Sequence, residues 1–305
     1  MFRKRYDGTY LKDIPSYAKI LPYVMPNRMI STIFTEQEFD ITETLQFLRR
    51  FNKEQDQAGK PKITFFQLFM VACVRTVALR PKINRFASGY RMWQRNSIRL
   101  NFVAKKELTD DAEEIWICED YSPFETLGTI GEKFRASVRE ATRGAGNESG
   151  DLNESLMKLP RFLAKMVFPM FKWLDERNML PGSLIDGSPF HGTVCLTNVG
   201  SVNVEAPYHH LFELGTVGLF VAVGIVRREW KPDRKGHMRE RDLVKVVYTY
   251  DDRISDGIYG GRTIAMIKKF TENPEQLLEP LRLTAEQLAE LKLKDYPPSM
   301  ANGDS

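Results

Sequence analysis

Three segments of the chain hold residue types that core packing alone does not require. In SPFHGTVCLTNVGS (188–201), Thr197 and Asn198 stand at the end of a β-type run, ahead of Gly200. A hydroxyl and an amide at a strand terminus can meet a ligand; equally, Asn198 and Gly200 can simply shape a strand-to-turn transition. Next, PYHHLFELGTVGLFVAVG carries His209 and His210 side by side. Adjacent histidines diverge on a helix and face opposite sides of a strand, so they do not grip one metal, and no third ligand stands at a suitable spacing. With four His in all (His191, His209, His210, His237) no metal site is expected. Each is either a packed structural histidine or a general base at neutral pH. In YTYDDRISDGIYGG, just after an apolar strand, Asp251, Asp252 and Asp256 surround Arg253. Arg–Asp pairing, helix capping by Asp256 and a turn at Gly257 account for that cluster structurally.

The scaffold that must position these groups is an ordinary globular one. The chain has 305 residues, 44 basic and 40 acidic, a net charge of +4, 42% hydrophobic residues and 19 Phe, which excludes disorder. Basic residues are scattered among acids, so no nucleic-acid footprint is expected, although an anionic cofactor is compatible. Cys73, Cys118 and Cys195 lie far apart inside apolar runs and read as buried, reduced thiols of a cytoplasmic protein rather than a disulfide or metal framework. The basic N-terminus lacks an apolar run and is not a signal peptide. Charges and Pro160 and Pro169 interrupt the apolar stretch 156–180, so no membrane span is expected.

Periodicity predicts a helix from Asp40, capped by Asp40 with Glu43 closing the box, with Ile41, Leu45 and Leu48 on one face and Gly59 and Pro61 at its end. A second box, Thr64 with Gln67, opens an almost wholly apolar helix that Pro81 stops. SIRLNFVAKKE and EEIWICED read as strands, and Ser122-Pro123-Phe124-Glu125 as the start of a helix ending at Gly144. GTVCLTNVG, GTVGLFVAVGIV and DLVKVVYTY are further strands, DGIYGGRTIAMIKKF is a helix, and Thr284 with Gln287 opens another. Helices and strands interleave without regular βαβ spacing, so the expected class is α+β with a mixed sheet.

In order, the three segments resemble the catalytic domain of the 2-oxoacid dehydrogenase acyltransferases, which share the chloramphenicol acetyltransferase fold. The family's D-H-R-x-x-D-G is matched by Asp251-Asp252-Arg253-Ile254-Ser255-Asp256-Gly257, and its strand F-T-[IL]-[ST]-N-[LV]-G by Val194-Cys195-Leu196-Thr197-Asn198-Val199-Gly200. ALRPKINRF, with Pro81 and Asn84, and FTEQEFDIT, with Asp40-Ile41-Thr42, resemble earlier family segments. The resemblance runs from about Tyr17 to Phe270. It implies an arm at 1–16, an acyltransferase-like domain at 17–271 with a helical insertion at about 151–181, and a helical tail at 272–305. The implied fold is a two-layer one, a mixed sheet flanked by helices. No lipoyl-type DKA segment or Ala/Pro linker precedes Tyr17, so the expectation is one catalytic-type domain of a standalone variant.

By resemblance, Thr197 is the hydroxyl that hydrogen-bonds the tetrahedral oxyanion, and Arg253, Asp256, Gly257 and Asn198 support the motif, with Arg253 and Asp256 as a pair holding its loop. The second motif position is the His that takes the proton from a coenzyme A or dihydrolipoyl thiol; here it is Asp252. A carboxyl of pKa ~3.9 is a much weaker base than imidazole at ~6.5 toward a thiol at ~8.5. Two readings stay open. One is an acyltransferase using coenzyme A or acyl-CoA as substrate, with Asp252, His209 or His210 as base. The other is an inactive homologue serving as oligomeric scaffold or coenzyme A or acyl binder. Both imply a homotrimer or larger oligomer, and the first adds a separate acyl carrier or 2-oxoacid dehydrogenase component as partner.

Overall fold

The computed structural model describes residues 4–105, 114–142, 160–233 and 235–301. Its centre is a six-stranded sheet in the order β2 (Thr32–Asp40), β9 (Met238–Asp251), β8 (Leu219–Pro232), β7 (Val194–Asn198), β5 (Ile98–Lys105), β6 (Glu114–Tyr121). β7 runs parallel to both of its neighbours, and every other pair is antiparallel. A separate three-stranded sheet joins β1 (Gly8–Tyr10), β4 (Arg91–Arg95) and β3 (Arg85–Ser88). The expected α+β class with a mixed sheet flanked by helices is the observed one.

Alternation along the strands gives the sheet two apolar faces. Val194, Leu196, Val221, Val223, Val246 and Tyr248 point into the main core. There they meet α2 (Thr42–Gln57), α3 (Phe65–Leu79), α4 (Leu127–Thr142) and α7 (Gly257–Glu272). The deepest helix is α3, where Gln67 to Ala78 are all buried behind the Thr64–Gln67 capping box. Arg75 is buried on it and donates to the backbone carbonyls of Glu125, Gln276 and Glu279. On the opposite face Cys195, Phe220, Ala222 and Val247 are covered by Ala206, Leu211 and Val217 from the segment between β7 and β8.

Local departures from the sequence expectations have local causes. α2 begins at Thr42 with Ile41, not Asp40, at the N-cap and without the Glu43 box; Asp40 Oδ1 instead accepts from the Thr42 amide at 3.1 Å, one residue ahead of the cap. The helix expected at Ser122 starts at Leu127, because Ser122–Glu125 closes as its own turn and the Thr126 hydroxyl accepts from the Thr129 amide. Within the expected insertion at about 151–181, α5 (Arg161–Glu176) is helical, while 151–159 lies outside the described residues; a short α6 (Gly182–Asp186) follows it. Segments near both ends of the described residues are built into the fold. β1 pairs with β4, and the last helix, α8 (Ala285–Leu291), adds Leu288 and Leu291 to the main core with Leu277, Leu283 and Leu293.

A buried charge network ties these parts together. Arg5 bonds Asp175 on α5 at 2.7 Å, Asp7 bonds Arg95 on β4 at 3.0 Å, and Arg95 reaches Thr216 at 2.9 Å. His191 sits 3.4 Å from Asp175 through Nε2 and 2.8 Å from Ser188 Oγ through Nδ1. Burial opposes ionisation of Asp175, but His191 and Arg5 outweigh it and hold its pKa at about 2. A depressed carboxyl pKa contributes stability above the unfolded value near 3.8, and the contribution disappears as pH falls toward 2.

Another constraint closes β7. Gly200 packs so tightly on the β8 bulge that a Cβ there would lie 2.2 Å from the Gly224 carbonyl oxygen, a backbone atom that cannot rotate away. Gly200→Ala should therefore lower stability by roughly 1–3 kcal/mol in urea unfolding. Asp175→Asn should lower it at neutral pH and flatten the acid limb between about pH 4 and 2 relative to the unsubstituted chain. An unchanged acid limb would show that Asp175 carries no such charge coupling.

Candidate active site

The DDRxxDG segment begins where β9 ends. Asp251 is fully buried, its amide donating to the Gly218 carbonyl at 3.0 Å. Burial alone would keep this carboxyl protonated. Arg253, two residues on, donates Nε to Oδ1 at 2.8 Å and Nη2 to Oδ2 at 2.6 Å, and its amide adds a third bond to Oδ1. Arg253 thereby overcomes the burial penalty and holds Asp251 below its ordinary value, with help from the charge of Arg28. Arg253 Nη1 also donates to the Met25 carbonyl, and the Asp252 amide donates to the Ser31 carbonyl at 2.7 Å. The loop is therefore pinned on both sides, and Asp252 stands on it half-buried. Desolvation, with the charge of Asp251 beside it, raises the Asp252 pKa.

Arg253 is paired with Asp251 and not with Asp256, which corrects the pairing that the resemblance implied. Asp256 instead accepts from the Tyr259 amide at 2.8 Å as the N-cap of α7, and that bond lowers its pKa. Gly257 is the first residue of α7, has an ordinary φ, and has open space where a Cβ would stand. The backbone therefore does not demand glycine there, contrary to the turn role expected of it.

Thr197 and Asn198 end β7, both half-buried. Residues alternate along that strand, so Thr197 shares the second face with Cys195. The Asn198 carbonyl accepts from Ser201 Oγ at 2.7 Å, and the short 3-10 turn that follows ends on Asn203 in the left-handed region. This turn is what the Gly200–Gly224 contact holds in place.

The two ends do not meet within one chain. Thr197 is level with Ala222 on β8, whereas Asp251 is bonded at Gly218, and β7 and β9 flank β8 on opposite sides. Four residues along and two strand spacings across separate them by on the order of 16 Å.

His209 lies over the second face, its ring stacked 3.9 Å from that of Phe220 and 4.7 Å from that of His210. Its Nδ1 is 2.7 Å from the His210 carbonyl oxygen, and desolvation lowers its pKa. His210 is more exposed and packs edge-on to Phe212. Phe220, two residues from Ala222, sits one strand over from Thr197, about 8 Å away by the same repeat. Phe220 also stands opposite Thr249 on β9, about 8 Å from Asp251 by the same repeat, so the histidines lie between the two ends.

Behind Arg253 a cavity of about 140 Å³ is lined by Arg28, Ser88, Lys172, Asp175 and Glu213 among others. Neither Asp252 nor Thr197 lines it. Arg28 is the component that sequence reasoning missed: it is buried, donates to the carbonyls of Gly215 and Val217, and faces Asp251 electrostatically. A single arginine in an irregular PNRM stretch carries no motif signal that could have found it. Ser188 and His191 lie in the 188–201 segment, but nothing in the sequence linked them to Asp175. Among the described residues no group of three or more His, Cys, Asp or Glu could hold a metal. The three cysteines are free; burial raises all their thiol pKa values, that of Cys118 to about 12, so none is a ready nucleophile.

Comparison with known proteins agrees with this geometry. The family model of the 2-oxoacid dehydrogenases acyltransferase (catalytic domain) matches residues 188–279, the span from the SPFHG segment past the DDRxxDG loop. No curated protein matches in sequence. Among solved structures, the dihydrolipoamide acetyltransferase of Azotobacter vinelandii superposes with a TM-score of 0.57 at 14% identity, over 88% of this chain and 93% of that one. A probable dihydrolipoamide acetyltransferase of Listeria monocytogenes gives 0.56 at 15% identity, over 86% and 95%. The cubic core of a pyruvate dehydrogenase multienzyme complex gives 0.55 at 12%, over 88% and 93%. At these identities the structures establish fold and the family match establishes the motif region. The chain is thus a structural relative of the 2-oxoacid dehydrogenase acyltransferases, with their fold over most of its length and their catalytic-domain signature over residues 188–279.

Proposed function

We propose that the chain is an acyltransferase-type domain that moves an acyl group from a thioester, such as acyl-CoA, to a thiol or other small nucleophile. Its site is completed by a second copy of the chain. The observation that carries this reading is the strand order. An oxyanion donor and a base must surround one carbonyl, yet Thr197 and Asp252 stand on the order of 16 Å apart. A neighbouring copy that brings its own 252 loop to the Thr197 end resolves the conflict, and a ring of three closes such a head-to-tail contact.

In the step itself the acceptor S–H gives its proton to the base and its sulfur attacks the thioester carbonyl. Thr197 Oγ–H donates to the oxyanion that forms. The intermediate then collapses, the C–S bond to coenzyme A breaks, and the departing thiolate takes the proton back. Asp252 is the first candidate for base because desolvation raises its pKa toward that of the thiol. His209 and His210 are the alternatives. A separate acyl carrier or 2-oxoacid dehydrogenase component would deliver the acyl group. A second reading, an inactive homologue that binds coenzyme A or an acyl chain or serves as an oligomeric scaffold, is favoured by the Asp at position 252.

Acetyl transfer from acetyl-CoA to dihydrolipoamide should be measurable, and Thr197→Ala should lower kcat by roughly 10²–10³. Coenzyme A binding by calorimetry without turnover would select the second reading; neither binding nor turnover would sink both ligand-based readings. The pH profile identifies the base. A base works in its deprotonated form, so with Asp252 the rate holds at neutral pH and falls as the solution is acidified through its raised pKa; Asp252→Asn removes that limb. A limb just under the ordinary histidine range, lost in His209→Ala and kept in Asp252→Asn, would assign His209 instead.

A further inference from the structure

We propose that helix α5 docks the protein onto an anionic lipid surface, lying in the plane of the headgroups. The helix has 16 residues, of which Asp175 alone is buried. Phe162, Met166, Met170 and Trp173 are 66%, 68%, 50% and 47% exposed. Their spacing of four, four and three residues puts them on one stripe of the helix, with Leu163 beside it. The opposite edge of that stripe is bordered by the exposed cations Arg161 and Lys165, and exposed Arg177 follows at the C-terminus; Lys172, on the same edge, is taken up by Glu213 at 3.6 Å. Of the two acids on α5, Asp175 is taken up by Arg5 and His191, which leaves Glu176 as the only acid facing outward.

The apolar face does not stop at α5. Helix α1 (Ser16–Val24) exposes Tyr17, Ile20, Tyr23 and Val24. Tyr23 stacks on exposed Tyr90 at 5.2 Å, and Pro22 of α1 and Lys172 of α5 line the same cavity, so the two helices are neighbours.

Charge decides what covers this face. A second copy meeting it through the same surface would set cations against cations, and the head-to-tail contact proposed above joins the 252 loop to the Thr197 end without calling on α5. An anionic bilayer supplies both needs at once: acyl chains for the Phe, Met and Trp side chains, and phosphates for the Arg and Lys heads that border them. The helix lies on the bilayer and does not cross it. At about 1.5 Å per residue it is roughly 24 Å long, with Pro169 inside, and no described helix is long and apolar enough to span.

The test is co-sedimentation of the full chain with vesicles of phosphatidylcholine alone and of phosphatidylcholine mixed with phosphatidylglycerol. The chain should sediment with the anionic vesicles, weaken as salt is raised, and leave the neutral ones largely unbound. Each basic charge removed should cost about fivefold in the partition coefficient, so Lys165→Glu should weaken binding by at least that much. Met166→Glu should abolish it, while circular dichroism and sedimentation velocity in the absence of lipid stay unchanged, because Met166 is exposed. Trp173 emission should shift to the blue on vesicles, and the shift should vanish in Trp173→Phe. Absence of binding to phosphatidylglycerol vesicles would overturn the proposal. So would a Met166→Glu chain that binds them normally, or one whose oligomeric state changes while vesicle binding does not.

Discussion

A carboxylate buried at the end of a central strand must have a cation in bonding contact, and Asp251 obtains one from two residues further along its own chain. That requirement sets the path of the whole loop. With Arg253 turned back onto Asp251, residue 252 is forced to the outside of the turn, where its amide is held by Ser31 and its carboxyl is left half-buried. Arg28 sits behind the pair and adds a second positive charge toward Asp251. The loop that carries the candidate base is therefore rigid because of its neighbours' electrostatics, and independent of which residue occupies position 252.

The same rule operates across the cavity behind Arg253. Asp7 and Asp175 are buried; Asp7 is held by its near neighbour Arg5 and by the distant Arg95, and Asp175 by Arg5, with His191 linking Asp175 to the segment that leads into β7. One network thus fastens the segment of Arg5 and Asp7, helix α5 and the approach to Thr197 to each other. Removing one partner would leave an uncompensated charge in the interior, a far larger loss than any exposed ion pair on the β8–β9 hairpin could cause. This anchoring explains how α5 can keep most of its apolar surface outward without detaching: its C-terminal turn is held by charge rather than by packing.

Much of this architecture was legible in the sequence because it rests on short-range signals. Alternation exposed β5 and β7–β9, and the Thr64–Gln67 and Thr284–Gln287 boxes marked α3 and α8, since a cap is satisfied within three residues. The capping role of Asp256 belongs to the same class. Where two local solutions compete, as at Ser122 and Thr126, the composition of the segment could not choose between them. The β3–β4 hairpin went unread because its turn, Gly89-Tyr90, places a bulky tyrosine at positive φ, outside the usual Asn-Gly pattern. Gly200 was visible as a turn residue, but its actual constraint is the Gly224 backbone of another strand.

The sequence by itself determined the α+β class and the resemblance carried by Thr197, Asn198 and Asp251 to Gly257, because each of these is a property of residue type or of neighbours a few positions apart. Only the tertiary structure decided that Arg253 answers to Asp251 rather than Asp256, that Arg28 backs the pair, and that the C-terminal ends of β7 and β9, which carry Thr197 and Asp252, lie apart along the sheet. Those outcomes depend on which strands lie side by side and in which direction they run. β7 parallel to β8 and β9 antiparallel to it send the two chain ends apart, and strand direction in a mixed sheet is settled by the long-range connections, which local periodicity does not encode.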